Sequence, residues 1–409
     1  MTLPAASVIY NPLRPVPEVG NSVELFAGGG GLALAMRHAG YRHLLVNEKA
    51  PHAVGTLNSN MERWSMASPG RDGAPSALIH GDVTKIDFAD LRDKVDVLAG
   101  GPPCQPFSSA GKSRGHDDDR NMFPQLFRAI REIHPMAVIC ENVFGILRES
   151  FKPYFEYILR QFDAPYLTAK RGETPEEHSA RLARHLGRKP RHESERYDVY
   201  PMKVNAADYG VPQIRKRVII VAFRRDAGVV WNTPAPTHSK RALLGDQQSG
   251  AYWSEHNLSP RGVANARLAA PSGAADGLLR WRTVRDARSQ EPPLPEPVDG
   301  QETTGFTHHV GWPGARIYRG HTPNLLDWPA KTVKAGVNGV AGGENVVRLD
   351  DGSHRYLTVR EAARLMTFPD EWEFAGPRGE QMRQIGNAVP VKLGVVFTRA
   401  VAAALAAAR

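Results

Sequence analysis

The sequence predicts an α/β fold: a doubly wound, mostly parallel sheet accompanied by a second, smaller, irregular β-containing domain. Three observations carry this expectation. Short apolar runs alternate with amphipathic stretches through the first half of the chain, the pattern of a parallel sheet covered by helices on both faces. A glycine run, 28–31, directly follows the first apolar run and opens a helix, the junction at which such sheets bind nucleotides. After Asp226 the texture changes: Trp231, Trp253, Trp281, Trp312 and Trp328 are spread among Pro, Gly, Ser and Thr, with a proline-rich stretch at 291–300. Short strands joined by long loops are expected there.

Taken in order, 22–26 reads as the first strand, 32–39 as its helix and 44–47 as the second strand, and 81–83 closes a third. The runs 95–99, 137–140 and 218–223 repeat the theme. A charged segment, 170–196, interrupts it, with 176–186 as its helical stretch. Residues 170–225 hold 14 Lys/Arg against 7 Asp/Glu, so most of the chain's net charge of +9 lies there. Thr358 and Glu361 form a capping box, in which hydroxyl and carboxylate each satisfy a helix-start amide; Leu357 and Ala362 make the staple and Pro369 the stop. A last helix is expected from just after Asn387 to Ala408. The resulting division is one domain of 1–228 with 360–409, the final helix packing back on it, and another of 229–359.

The composition, 41% apolar and 23% charged over 409 residues, excludes wholesale disorder. No uninterrupted apolar run approaches the roughly 18 residues that span a bilayer, so no membrane association is expected. The first 20 residues lack a basic region and an apolar core, and Pro4, Pro12, Pro15 and Pro17 read as a loose arm, so a cytoplasmic location is expected. Two cysteines, Cys104 and Cys140, exclude a disulfide scaffold and a four-cysteine zinc site. His308, His309 and His321 have neither cysteine nor an acidic cluster beside them, and no metal is expected. A positive balance suits a polyanionic partner, though it does not select one.

The chemistry-bearing residues fall at strand ends. Glu24-Leu-Phe-Ala-Gly-Gly-Gly-Gly31 lets backbone approach a ligand, Glu48 sits where a carboxylate suits a ribose diol, and Asp82 can accept from an adenine amino group. Together they point to an adenosine-containing ligand, with no lysine–serine/threonine pair of a phosphate loop. In Gly100-Gly-Pro-Pro-Cys-Gln-Pro-Phe-Ser108, prolines on both sides keep Cys104 out of a helix interior and hold its thiol on an exposed turn. A thiolate there is a strong nucleophile. Glu141, in Glu141-Asn142-Val143, ends another strand at the same edge, where a carboxyl can hold or donate a proton. In Gln213-Ile-Arg-Lys-Arg217, an extended backbone puts Arg215 and Arg217 on one face, suited to phosphate or carbonyl groups. Gln384-Ile-Gly-Asn-Ala-Val-Pro390 precedes the last helix, with Asn387 as its candidate cap.

In this order and spacing the motifs resemble the DNA (cytosine-5)-methyltransferase family, over roughly 22–225 and 355–395. The resemblance implies a Rossmann-like methyltransferase sheet with a target-recognition domain at 229–359. It implies transfer of a methyl group from S-adenosylmethionine to carbon 5 of cytosine in double-stranded DNA, giving S-adenosylhomocysteine. Cys104 would attack carbon 6 of a flipped cytosine, Glu141 would meet ring nitrogen 3 and the amino group, Arg217 would contact the carbonyl or a nearby phosphate, and Arg215 would support them. Cofactor contacts are implied at Phe26, Ala27, Gly28, Gly30, Glu48, Asp82, Val83, Pro103, Asn387 and Val389. DNA contacts are implied at Pro103, Gln105, Ser108 and Gln213. In the recognition domain, Lys331, Thr332 and Lys334 stand beside Gly336, Gly339, Gly342 and Gly343, which permit close backbone approach to a duplex.

Three departures stand out. Glu24 replaces the more usual Asp, Lys49 stands where members often carry a large apolar or aromatic residue against adenine, and 170–196 lengthens a usually short segment. This insert is expected near DNA, adding nonspecific affinity. A monomer is expected, with a cognate restriction endonuclease, where present, acting separately. Rival readings fit less well. A tRNA-methylating branch carries a Cys-Phe-Thr element absent here, exocyclic-amine methyltransferases use Asp/Asn-Pro-Pro-aromatic, and a dehydrogenase explains only the glycine turn. A catalytically silent DNA-binding relative would be expected to lose Cys104 or Glu141.

Overall fold

Seven strands form one sheet in the computed structural model, which describes residues 17–61, 77–103, 121–259, 276–317, 319, 322–335 and 345–409. They are β1 (Gly20–Leu25), β2 (Tyr41–Glu48), β3 (Ala77–His80), β4 (Val97–Gly100), β5 (Ala137–Val143), β6 (Tyr197–Asn205) and β7 (Lys216–Arg224), in the order β3-β2-β1-β4-β5-β7-β6. The first five are parallel; β7 runs antiparallel between β5 and β6. The order reverses between β1 and β4, which opens a crevice at the carboxyl ends of those strands.

Alternation along each strand explains the two covered faces. Val97, Ala99, Ile139, Ile219 and Val221 pack with α1 (Gly31–His38) and α11 (Val391–Ala408), through Leu32, Met36, Leu393, Phe397 and Val401. The intervening Leu98, Val138, Cys140, Val218 and Ile220 pack with α3 (Phe123–Ile133) and α4 (Lys152–Asp163), through Phe127, Ile130, Ile158 and Phe162. A third cluster joins α2 (Pro51–Met61) and Trp372 to Ala33 and Leu34 of α1.

The Trp-rich region has short strands, as expected. β8 (His238–Ser239) pairs with β9 (Leu279–Arg280), and β10 (Asn324–Leu325), β11 (Val346–Arg348) and β12 (His354–Tyr356) make a three-stranded sheet. Around α6 (Lys240–Ser249) and α7 (Ala251–Glu255), Leu243, Tyr252, Trp253 and Trp281 form a small core that also takes in Ala207, between β6 and β7. Further along, α8 (Val284–Ser289) with Leu326, Ala330, Val333 and Val347 joins the same core as Trp372 and α9 (Val359–Leu365). The region's second half therefore shares its core with the large sheet domain.

Two sequence expectations need correction. The segment before the last helix is itself helical: α10 (Arg378–Asn387) ends on Asn387, and Pro390, which has no N–H to donate, caps α11 in its place. The stretch 378–408 reaches a mean hydropathy of 1.7 over an 18-residue window, long and apolar enough by composition to cross a membrane; here Val391, Leu393, Phe397, Val401 and Leu405 bury against the sheet domain.

The charged insert is rooted away from the catalytic edge. Its helix, α5 (Pro175–Leu186), is capped by Thr174 and Glu177 and lies on α4, where His178 sits between the Tyr157 hydroxyl (2.8 Å) and the Leu167 carbonyl (2.7 Å). Arg181 grips Glu173 through two bonds of 2.7 and 2.6 Å, which hold the Glu173 carboxyl well below the usual carboxylate range. Both roots are tied to the amino-terminal edge of the sheet: Arg131 donates to Pro165 O, His134 to Ser194 O, and Arg196 pairs with Asp163. Along β5, four residue steps, about 13 Å, separate Ala137 at that edge from Glu141, and six steps, about 20 Å, separate it from Val143, the partner of Arg217. Charge composition does not report position; the path from α4 into β6 does.

The expected capping box at α9 is present and extends into a buried ion cluster. Glu361 accepts from Thr358 N at 2.9 Å and from both Arg355 Nη atoms at 2.7 Å, with Arg288 Nε at 3.0 Å. Burial alone would raise its pKa; the hydrogen bonds and charge of Arg355, with the charge of Arg288, outweigh that and lower it to about 2. A depressed carboxylate stabilises the fold above its unfolded pKa and loses that contribution as pH falls toward the folded value. Glu361→Gln should destabilise by about 3 kcal/mol at pH 7. The difference in denaturant midpoint between wild type and variant should shrink between about pH 4.5 and pH 2.

Candidate active site

The carboxyl edge assembles around the turn after β1. Phe26 (φ 59°) and Gly28 (φ 55°) both take left-handed backbone, and a Cβ on Gly28 would meet nothing within 4 Å, so the turn faces open space. Glu48, at the end of β2, accepts from Gly28 N at 2.7 Å and from Lys49 N and Ala50 N at 2.8 and 2.7 Å. Asn47 donates to Ile79 O and Gly81 O, and its own carbonyl accepts from Ala27 N. The ends of β1, β2 and β3 are thereby held in one frame. Trp372 adds an indole bond to Gly29 O, a brace that no local motif announces.

Asp82 receives Lys49 Nζ at 2.8 Å and Thr84 N and Oγ1 at 3.0 and 2.8 Å, bonds that hold its carboxyl well below the ordinary range. Lys49 thus bridges β2 to the third strand's end. Glu24 is fully buried and one carboxyl oxygen, Oε2, has no hydrogen-bond partner. Burial pushes its pKa well up, and the nearby Glu48 charge adds to the effect.

Next to this frame stands the second half of the site. Asn142 donates to Pro102 O at 3.2 Å, fixing the strand exit from β4 that leads to position 104. Cys104, Gln105 and Ser108 lie outside the described residues, as do Gly336, Gly339, Gly342, Gly343 and His321. Glu141 and Arg217 form a largely buried pair, Oε1 to Nε 2.7 Å, and a Cβ on Gly101 would come within 3.3 Å of Glu141 Oε2. The carboxylate, the guanidinium and the approach to Cys104 therefore meet at one place. Pro103 is exposed, and Ala27, Val83 and Val389 are buried in the walls around the turn.

The two expected companions of Arg217 point elsewhere. Arg215 is fully buried; Nη1 donates to Val333 O at 3.1 Å, and Nη2 to Gly386 O and Ala388 O at 2.6 and 2.9 Å. Burial and the Arg217 charge push its ionisation down. Gln213, expected at the DNA, is fully buried: its amide donates to Leu365 O at 3.1 Å and accepts from Val333 N at 3.0 Å. Thr332, also expected at the DNA, donates to Ile214 O at 2.9 Å. All three serve a seam between the lead-in to β7, segment 330–335 and the α10–α11 junction. Gly386 is required there, because a Cβ would sit 2.4 Å from Lys334 C and Ala335 N. Lys331 is half-buried, with Nζ on Thr322 O and Oγ1, while Lys334 and Asn387 are exposed.

The histidines considered for metal are structural: His308 Nε2 accepts from Phe374 N, and His309 lies between Thr358 Oγ1 and Pro295 O. Among the described residues, Glu255, His256 and Asp286 are grouped closely enough to hold an ion. Arg280 already spans them, 2.6 Å from Asp286 and 2.8 Å from Glu255.

The cofactor implied by the motifs fits this frame. An open left-handed glycine turn at the switch between β1 and β4, with carboxylates at the ends of β2 and β3, suits a nucleoside bearing a cationic methionyl arm. S-Adenosylmethionine is such a molecule.

The chain matches a family model described as C-5 cytosine-specific DNA methylase over residues 20–165 and 191–403. The match includes the Trp-rich middle and omits most of the charged insert. The type II methyltransferase M.Eco47II of Escherichia coli is 32% identical over 389 residues, 93% of this chain and 78% of that protein. The type II methyltransferase M.NgoMIV of Neisseria gonorrhoeae is 31% identical, covering 94% and 97%. In fold, the chain is similar to the S. pombe Dnmt2 methyltransferase, with TM-score 0.54 and 16% identity over 95% of this chain and 98% of that one.

Replacing Arg215 by Lys keeps the charge but cannot reach three carbonyls with a planar fork. Arg215→Lys should lower stability by about 3 kcal/mol, because buried carbonyls lose their donors. Denaturant unfolding measures this, and calorimetry should show weaker binding of S-adenosylhomocysteine, since Gly386 and Ala388 flank Asn387.

Proposed function

This chain belongs to the C-5 cytosine-specific DNA methylase family, and on that premise we propose how its residues divide the work. It is a DNA (cytosine-5-)-methyltransferase, acting in a sequence-specific manner with S-adenosylmethionine as methyl donor. The observation that supports the division most strongly is the Glu141–Arg217 pair beside the backbone leading to Cys104.

Cytosine is a poor nucleophile at carbon 5 until something adds to carbon 6. The Cys104 thiolate forms that bond, and the displaced electron pair spreads through the ring toward nitrogen 3 and the carbonyl. Glu141 supplies a hydrogen bond at nitrogen 3 and accepts from the amino group; Arg217 holds the carbonyl, so charge developing in the adduct meets donors already in place. When bound, S-adenosylmethionine supplies an electrophilic methyl group to the activated carbon 5. A solvent base takes the carbon 5 proton as the bond from carbon 6 to sulfur breaks, so Cys104 leaves as the thiolate and the aromatic ring is restored. The reacting carbons are inside the duplex stack, so the base must be flipped out at a cost of a few kcal/mol.

Glu48 and Asp82 take the ribose and adenine ends of the cofactor, and the Phe26–Gly30 turn, Val83, Pro103, Asn387 and Val389 enclose it. Arg215 and Gln213 are positioning residues: they touch backbone rather than substrate. The region 229–359 reads the target sequence in double-stranded DNA, with Lys331 and Lys334 toward the backbone. The chemistry requires no metal. We read the enzyme as a cytoplasmic monomer, any cognate endonuclease acting separately on the same DNA.

Cys104→Ser should abolish turnover while S-adenosylhomocysteine still binds, and Glu141→Gln should lower kcat by roughly 10²–10⁴-fold. Bisulfite sequencing of DNA from expressing cells should reveal 5-methylcytosine at one sequence. Its absence, with purified protein also inactive on DNA, would overturn the reading.

A further inference from the structure

Val143 on β5 and Arg217 on β7 are the last pair of their ladder, and Phe144 and Lys216 are the residues that follow them toward the carboxyl edge, immediately beyond the catalytic pair. Neither has a place in the chemistry above. Alternation turns Lys216 to the face opposite Arg217, the face that carries Val218 and Ile220. There its Nζ lies 5.8 Å from the centroid of the Phe144 ring, and Phe144 is 40% exposed, unusual for a phenylalanine at a strand end. Lys203, opposite Val218 on β6, shares this face and is exposed; Arg148, just past the turn that Phe144 opens, is exposed as well. Lys203, Lys216 and Arg148 have no ion-pair partner among the described residues.

An accessible ring under a cation, rimmed by further cations, matches the way proteins hold an extended nucleic-acid strand: cations meet phosphates and the ring meets a sugar or base face. We propose that Phe144, Lys216, Lys203 and Arg148 form a strand-holding rim that grips the DNA flanking the flipped cytosine. This rests on the reading of Glu141 and Arg217 as the pocket for that base. A strand pulled from its stack must be held at both sides of the extruded nucleotide, and this patch adjoins the pocket on the side away from segment 330–335. The basic insert, by contrast, is rooted at the opposite edge of the sheet.

The test is equilibrium binding of the full chain, saturated with S-adenosylhomocysteine, to a duplex carrying its bisulfite-mapped site over a range of salt concentrations. Lys216→Gln and Lys203→Gln should each reduce the slope of log K against log[salt] by about 0.7–0.9, one phosphate contact apiece. Phe144→Ala should weaken binding about tenfold with the slope unchanged. Lys189→Gln with Arg191→Gln, in the insert, should leave both quantities as in wild type. Melting temperature and S-adenosylhomocysteine affinity report whether each variant is folded; if Phe144→Ala melts early, the two lysine variants decide. Slopes and affinities equal to wild type in the lysine variants, or an equal loss from the insert pair, would overturn the proposal. Wild-type protein that methylates while the rim variants bind unchanged fails this inference alone. Wild-type protein that methylates no duplex fails the catalytic reading beneath it.

Discussion

A single buried guanidinium holds the working parts of this enzyme in register. Arg215 donates to Val333, Gly386 and Ala388, which belong to segment 330–335 and to the junction between the last two helices. Its own backbone leads into β7, two residues ahead of Arg217. Removing a cation from water is costly, and no carboxylate touches this one among the described residues; three carbonyl dipoles must compensate. Such an arrangement is stable only while all three carbonyls stay where they are. The clasp therefore makes the position of Asn387, the position of segment 330–335 and the aim of Arg217 interdependent. Gln213, two residues earlier, repeats the logic through Leu365 O and Val333 N.

The opposite side of the site is framed by side chains that satisfy strand-end backbone. Asn47 ties β2 to β3, Glu48 gathers three amides including that of Gly28, and Asn142 ties β5 to the exit of β4. Parallel strands end with unpaired amides and carbonyls at one edge, so polar residues placed there are used twice: once to satisfy backbone, once to meet a ligand. Glu48 shows the economy most clearly, since the bonds that orient it toward the crevice are the bonds that shape the glycine turn.

Much of this was legible in the sequence because it is local. The strands at 22–26, 44–47, 137–140 and 218–223 appear within a few residues of their expected limits, and so does the capping box at Thr358. Glu141 could be assigned to the catalytic edge because it directly ends an apolar run. Long-range partners were not legible. Arg215 and Gln213 look like surface chemistry in the string Gln-Ile-Arg-Lys-Arg, and nothing nearby says that their partners lie more than 100 residues away. α10 was missed because it is weakly apolar and ends on the very asparagine that reads as a cap. The roots of the insert were not legible for a related reason: its charge is visible in the sequence, while its attachment depends on where α4 ends and β6 begins.

The shared core of region 229–359 has a consequence for how that region can change. Val284, Ala287, Leu326 and Val347 are buried with Trp372 and Ala33, and Gly386 has no room for a side chain against residues 334–335. A region with such roots is not a detachable cassette. Transplanting 229–359 from a relative would import half of a foreign interior and misfit the clasp, whereas exchange confined to surface loops leaves the interior intact. Changes in 229–359 that keep the fold are therefore confined to surface loops, and the seam beneath them sets the limit on what can be exchanged.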